Sequence, residues 1–248
     1  ALKVARSAGD HIEAHRGTDL RIDFKGTVNL VTRMDRKSEE MICSTVSEHF
    51  PGHAIIAEEG KMKETASEWT WVIDPLDGTT NYAHGLPVYC VSIGVLLRGA
   101  PHLAVVHAPA LEETFHAVAG KGAFLNGHPI SVSTRSRPEH CLLATGFPYD
   151  RQEFTERYVR YFSHFLSRVR DIRRCGAAAL DLSYVAAGRF DGFWEFGLLP
   201  WDTAAGSLLI MEAGGRISDF SSEGFDPFLP QCLASNGRIH EWMRAAFA

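Results

Sequence analysis

The 248-residue chain predicts a layered fold of the α/β (α+β) class. Three observations lead there. Short apolar runs of strand length recur along the whole chain. Segments with apolar residues three to four apart alternate with them. The joins between these pieces call for both hairpins and crossovers. In order, residues 1–16 carry helical spacing, a loop with Lys25-Gly26 follows, and Leu30-Val31-Thr32 is short and apolar. Asp35 opens a second helical stretch over 35–49, stopped by Pro51-Gly52. Residues 54–57 form a short strand running into Glu58-Glu59-Gly60, and 69–73 a strand that ends on Asp74-Pro75. A long buried strand covers 89–97, and 103–108 and 113–119 are its antiparallel successors. Gly120-Lys121-Gly122 has the look of a nucleotide loop, but no helix follows it, so it reads as the turn of a hairpin.

The second half opens with a strand over 141–145, then a long helix over 154–169 and a strand around Ile172. A helix of small residues over 177–187 precedes a strand over 192–196. A further helix begins at Trp201-Asp202 and continues to Ala213. Short strands near Ile217 and Leu233 and a helix from Ile239 complete the chain. There is no internal repeat, low-complexity segment or linker, so residues 1–248 are expected to form a single catalytic domain.

Composition narrows the function classes. Hydrophobic residues make up 45% and charged residues 22%, an ordinary globular balance. A net charge of -5 argues against nucleic acid as a partner, because phosphate backbones are held by clustered Lys and Arg. The one basic group, Arg168, Arg170, Arg173 and Arg174, reads as a solvated helix end and strand edge. No apolar run approaches the roughly 18–20 residues that cross a bilayer, so no membrane partner is expected. Residues 1–9 read as an amphipathic helix and not as a signal peptide. The five cysteines are scattered without a C-x-x-C, which points to free thiols and a reducing, cytoplasmic setting. The histidines include no H-E-x-x-H and no helical ligand pair; His84 is expected to be a loop residue lining the cleft.

The chemistry concentrates in acidic residues. Asp74-Pro75-Leu76-Asp77-Gly78-Thr79-Thr80-Asn81 follows a strand. Pro75 keeps Asp74 extended, and Asp77 follows a tight bend, so both carboxylates can face one point. Gly78 permits unusual dihedrals, and Thr79-Thr80 suit a helix start whose N–H groups favour an anion. Two hard-cation ligands beside an anion-binding helix end suit metal-assisted phosphate chemistry. Taken alone, the same pattern is an Asp-rich turn before a capped helix. Glu58-Glu59 alone is a solvated acidic pair. Asp202, in Pro200-Trp201-Asp202-Thr203-Ala204-Ala205-Gly206, and Asp35 could each be only a helix cap. All of them, however, fall where a strand stops or a helix starts, the edge where α/β sites assemble.

These motifs resemble the inositol monophosphatase family of lithium-sensitive, Mg²⁺-dependent phosphatases. Residues 71–82, Trp201-Asp202-Thr203-Ala204-Ala205-Gly206 with Glu212-Ala213-Gly214-Gly215, Glu58-Glu59, and Leu30-Val31-Thr32 with Asp35 carry the match. The resemblance implies a layered αβαβα sandwich, a homodimer, lithium sensitivity, and hydrolysis of a small phosphate monoester, foremost inositol 1-phosphate, by metal-activated water. It implies a first Mg²⁺ on Glu58, Asp74 and the Leu76 carbonyl, a second on Asp74, Asp77 and Asp202, and room for a third, weaker ion near Glu58. Thr79 with Asp35 would orient the attacking water, with Glu58 also in the catalytic set. Gly78 and Thr79 N–H groups would bind phosphate, and Asp77, Gly176, Ala178, Glu195 and Asp202 would line the substrate. Many members carry Ser or Thr where this chain has Ala177, which leaves substrate preference open. Histidinol phosphate, fructose 1,6-bisphosphate and 3′-phosphoadenosine 5′-phosphate are the alternative substrates, and a non-catalytic regulatory protein the alternative class. The absence of a Cys-x5-Arg loop and of a Walker motif agrees with direct attack by water.

Overall fold

The structure, a computed structural model, describes residues 1–17, 22–25, 29–60, 62–147, 151–221 and 224–247. Its first half runs α1 (Leu2–Ala14), β1 (Ile22–Lys25), β2 (Asn29–Thr32), α2 (Arg33–His49), β3 (Ala54–Ala57), β4 (Met62–Lys63), β5 (Trp69–Asp77) and α3 (Thr79–Ala83). A meander follows: β6 (Cys90–Leu97), β7 (Ala100–Ala108), β8 (Glu113–Val118), β9 (Ala123–Leu125) and β10 (His128–Ile130). The second half comprises β11 (Leu142–Thr145), α4 (Arg151–Leu166), β12 (Asp171–Arg173), α5 (Ala178–Ala186), β13 (Gly192–Phe196), α6 (Pro200–Glu212), β14 (Arg216–Ser218), β15 (Gln231–Ser235) and α7 (His240–Arg244).

Side-chain alternation sorts these elements into an αβαβα sandwich. The eight-stranded sheet, β10-β9-β8-β7-β6-β5-β3-β4, lies between α1 with α2 on one face and α5 with α6 on the other. Ala8 and Ile12 of α1 and Ile42 and Val46 of α2 pack on Trp71, Ile73, Ile93 and Val105. The opposite face gives Val106 and Phe115 to the middle layer, where they meet Leu182 of α5 and Leu209 of α6. The five-stranded sheet, β12-β11-β13-β15-β14, covers the other side of α5 and α6. On β13, Phe193 faces that middle layer and Trp194 faces Phe165 of α4, the period-2 alternation of a strand buried on both faces. Each fully buried side chain of this size contributes roughly 1.5–3 kcal/mol over exposure.

Glycines let the middle layer close. A Cβ on Gly94 of β6 would lie 2.8 Å from the Ala204 Cβ and 3.0 Å from the Ala205 nitrogen of α6. A Cβ on Gly206 would meet the Leu182 Cδ1 at 2.5 Å. The small residues of α6 are therefore a packing requirement set by both neighbours.

Several sequence expectations need correction. Residues 22–25 are a strand paired antiparallel with β2, where a loop was expected; Gly26 of that loop lies outside the described residues. The short strands β4, β9 and β10 were not expected. Most telling, β5 does not end at Asp74. It continues to Asp77 through a register shift: Asp74 pairs with Ser92 and Asp77 with Cys90, so three residue steps on β5 face two on β6. One extra residue in a strand is a β-bulge. In a regular strand, positions three apart point to opposite faces. The bulge returns Asp77 to the face of Asp74, and Pro75, which has no N–H to donate, sits within it.

Candidate active site

A cleft of about 530 Å³ opens between the two sheets, at the end of β5 and the N-termini of α3, α5 and α6. Glu58, Asp74, Asp77, Asp202 and Glu195 all line it, with Leu76, Gly78, Thr79, Gly176 and Ala178. The structure thus brings together every sequence-predicted site residue except Asp35, which lies directly behind Thr79. A second cavity, about 650 Å³, sits on the outer layer beside α4 and α7; its one lining carboxylate, Glu241, is paired with Arg216 and Arg244. It has no acidic cluster, and the chemistry is in the smaller cleft.

Asp35 is fully buried at the third position of α2, inside a capping box. Its Oδ2 accepts from the Thr32 N–H at 2.8 Å and the Thr32 hydroxyl at 2.5 Å, while the Thr32 Oγ1 accepts from the Met34 N–H. Its Oδ1 accepts from the Thr79 hydroxyl at 2.9 Å. Burial pushes the Asp35 carboxyl up to about 6, although the Thr32 and Thr79 hydrogen bonds oppose that. The Thr79 hydroxyl also lies 3.0 Å from the Leu76 carbonyl. It has a single proton to give, so the two acceptors compete for it.

Three of the cleft carboxylates are each fixed by a backbone amide. The Leu76 N–H donates to the Asp74 Oδ1 at 3.0 Å, the Ala179 N–H to the Asp77 Oδ2 at 2.8 Å, and the Leu199 N–H to the Asp202 Oδ2 at 2.7 Å. Asp202 is thus the third residue of α6, reaching back to the residue before the helix, and not the helix cap itself. The Ala179 donor comes from the first turn of α5, and the Cys90 thiol donates to the same Asp77 oxygen at 3.7 Å. Burial raises Asp74 and Asp202 well above the usual carboxylate range. The charges of Glu58, Asp77 and Asp202 add to it at Asp74, and those of Asp77 and Glu58 at Asp202. Burial likewise raises Asp77 to about 6 against its amide donors. Such a set of buried, mutually repelling carboxylates is the donor chemistry of a hard divalent cation, and the residues fit Mg²⁺ in type. As the side chains stand, no three of the described His, Cys, Asp and Glu residues are drawn together tightly enough to grip an ion.

The opposite wall is built by loops after β11 and β12. Gly146 leaves the space that the Glu195 carboxylate fills; a Cβ there would lie 2.1 Å from Oε2. Burial, then the Asp202 charge, raises Glu195 well above its usual value, and Arg174 pulls it back down. Gly78 and Gly176 both have positive φ, 88° and 90°. At Gly78 a Cβ would strike the Val88 carbonyl at 2.8 Å, so glycine is required there twice over. Ala177 precedes α5 with no side-chain cap.

Sequence reasoning missed Phe147, Arg174, Asp181 and Trp201, which also line the cleft. The basic group read as solvent-facing is exposed throughout; Arg173 pairs with Asp171 at the surface, and Arg174, exposed as well, also borders the cleft. Buried Asp181 has an Oδ1 with no hydrogen-bond partner among the described residues. His84, expected at the cleft, is an exposed residue just after α3 and does not line it. The Gly120-Lys121-Gly122 segment is the expected turn. Its Gly120 and Gly122 N–H groups each donate to the Glu212 carboxylate at 2.7 Å, so this anion-binding loop is filled from within the chain.

Comparison with known proteins places the chain in a family. The family model described as "Inositol monophosphatase family" matches residues 1–248. An "Inositol-1-monophosphatase" of Synechocystis sp. is 42% identical over 250 residues, covering 100% of this chain and 87% of that protein. A "Nus factor SuhB" of Escherichia coli is 42% identical over 248 residues, covering 99% of this chain and 93% of that protein. Among solved structures, the inositol monophosphatase from Anabaena (Nostoc) sp. superposes with a TM-score of 0.88 at 40% identity, over 99% of this chain and 94% of that one. With the family model spanning its whole length, the chain belongs to the inositol monophosphatase family.

Proposed function

We propose that this chain is a Mg²⁺-dependent phosphatase that hydrolyses small phosphate monoesters by direct attack of water, with inositol 1-phosphate as the leading substrate. The observation that carries the reading is the bulge in β5, which sets Asp74 and Asp77 on one face, opposite Asp202 and beside Glu58. Glu58, Asp74 and the Leu76 carbonyl would hold one ion, and Asp74, Asp77 and Asp202 a second. When bound, Mg²⁺ supplies Lewis acidity toward phosphate oxygens and makes water easier to deprotonate.

The chain's own groups do the rest. The Gly78 and Thr79 N–H groups, at the start of α3, are the donors for the phosphate oxygens. Occupation of the Leu76 carbonyl as a ligand would draw off its electron density and weaken it as an acceptor, favouring the Thr79 bond to Asp35. The Thr79 Oγ1 lone pairs are then aimed at a water proton, with Asp35 holding the hydroxyl in that orientation. Glu195, Gly176 and Ala178 border the rest of the substrate, where hydroxyl recognition takes place.

Thr79→Ala is expected to lower kcat by about 10²-fold, the scale of a lost acid–base group, with a smaller rise in KM because the backbone N–H remains. In the native chain kcat should fall as pH falls through about 6, since a protonated Asp35 no longer accepts the Thr79 proton. The sign follows from the raised carboxyl: the ionised form, needed for the work, is lost on the acid side. A pH–rate profile of both forms checks this; a pure KM effect with a flat acid limb would assign Thr79 to ground-state binding instead.

The substrate is tested by ranking kcat/KM over inositol 1-phosphate, histidinol phosphate, fructose 1,6-bisphosphate and 3′-phosphoadenosine 5′-phosphate. A LiCl arm matched in ionic strength to NaCl and KCl belongs to the same experiment, and selective inhibition by Li⁺ is expected. A second reading, a regulatory role, is favoured by the relatives that bear the name Nus factor SuhB. It predicts a folded protein without turnover on any of these esters.

A further inference from the structure

Arg174 stands on a wall of the cleft, where its charge reaches Glu195 and Asp181 without direct contact. Six carboxylate side chains line that cleft (Glu58, Asp74, Asp77, Asp181, Glu195 and Asp202), and no lysine among the described residues does. The guanidinium nevertheless makes no ion pair with a described residue. Its one hydrogen bond, from Nη2 to the Phe147 carbonyl, is stretched to 3.5 Å. Its carbon lies 5.9 Å from the Phe147 ring centroid, the outer limit of a cation–π contact. What places it there is Gly176: a Cβ at that residue would meet the Arg174 Nη1 at 2.3 Å, so the side chain folds back over the glycine two positions on. Arg174 is exposed on its outer side, so its remaining N–H donors face water and any ligand in the cleft.

Its position along the cleft is specific. Arg174 belongs to the wall made by the loops after β11 and β12, together with Phe147, Gly176 and Glu195. The carboxylates assigned to the ions come from β5, α6 and the turn after β3, and that of Asp77 reaches the first turn of α5 just past Gly176. Arg174 lines the same cleft as Gly78 and Thr79, so one ligand can meet both the turn that would bind its reacting phosphate and the guanidinium. An arginine fork matches a phosphate or carboxylate in shape as well as charge, and a charge-assisted pair of this kind is strong.

We propose that Arg174 receives a second anionic group, a phosphate or carboxylate, at the end of the substrate distal to the reacting ester. Phosphate esters with such a group are then a favoured substrate class. This deepens the phosphatase reading and rests on its placement of the reacting phosphate. The competing role, a counter-charge for Glu195 and Asp181, would act on all ligands alike.

2,5-Anhydromannitol 1,6-bisphosphate and 2,5-anhydromannitol 1-phosphate, which are locked in the five-membered ring, differ only by the distal phosphate, and both are measured on the full chain. Calorimetric titration with Ca²⁺ in place of Mg²⁺ reads binding without turnover, and kcat/KM with Mg²⁺ reads catalysis. The native chain should bind the bisphosphate at least about 10-fold more tightly, the difference of one charge-assisted pair. Arg174→Ala should collapse that ratio toward one, chiefly through KM where there is turnover, and Arg174→Lys should keep part of it. Equal affinities in the native chain, or an Arg174→Ala loss of the same size for both ligands, overturns the proposal. A binding preference that depends on Arg174 without phosphate release supports it and removes the phosphatase reading instead.

Discussion

Asp77→Asn is expected to cost about 10²–10³-fold in kcat at saturating Mg²⁺, the scale of losing one preorganised electrostatic contact. The environment dictates which way the new amide turns. The Asp77 Oδ2 accepts from the Ala179 N–H and the Cys90 thiol. An asparagine keeps those donors satisfied only with its oxygen on that side, which turns its NH₂ toward the cleft. The cation then loses a negative charge and meets a donor where it needs an acceptor. Asp202→Asn should behave alike, since the Leu199 N–H holds its Oδ2. Both variants should fold, because asparagine also removes the burial cost of a charge. Steady-state kinetics over a Mg²⁺ titration checks the expectation; near-native kcat in either variant removes that residue from the ion-binding set.

Gly94→Val should act on fold and site together. Even a Cβ at this position runs into the Ala204 Cβ and the Ala205 nitrogen. The second contact is backbone, so no side-chain rotation relieves it and α6 as a whole must move. Overpacking of this kind costs about 1–3 kcal/mol, and a chain of this size then loses roughly 3–10 °C in Tm. Asp202 rides on the same helix two residues before Ala204, so activity should fall by more than stability alone explains; misplacing a reacting group by about 1 Å costs on the order of 10²-fold. Thermal unfolding and kcat of the variant below its Tm test this. An unchanged Tm would mean that β6 and α6 are not packed as described.

Much of this was legible in the chain. The order of strands and helices followed from apolar spacing, and the boundaries of β3 and β13 were read to the residue, because turn formers or acidic pairs bound them. The acidic residues could be nominated because each sits at an element end. What was not legible depends on long-range pairing. The bulge that aligns Asp74 with Asp77 exists only in the register against β6, and a strand ending at Pro75 was the natural local reading. The strands β4, β9 and β10 are two or three residues long, too short for a period to show. Arg174 reads like its surface neighbour Arg173, since nothing before folding shows that one of them lies over Gly176 at the edge of the cleft. His84 failed the other way: nearness in sequence to Asp77 and Thr79 did not bring it into the cleft.

The most direct test of the account is release of inorganic phosphate from inositol 1-phosphate by the purified chain, with saturating Mg²⁺ and again after exhaustive chelation. The buried carboxylates of Asp74 and Asp77, with half-buried Asp202 and Glu58 beside them, predict turnover with Mg²⁺ and a fall to background on chelation, restored when Mg²⁺ is returned. Equal phosphate release with and without the ion, or none from a folded protein with Mg²⁺ present, would contradict it.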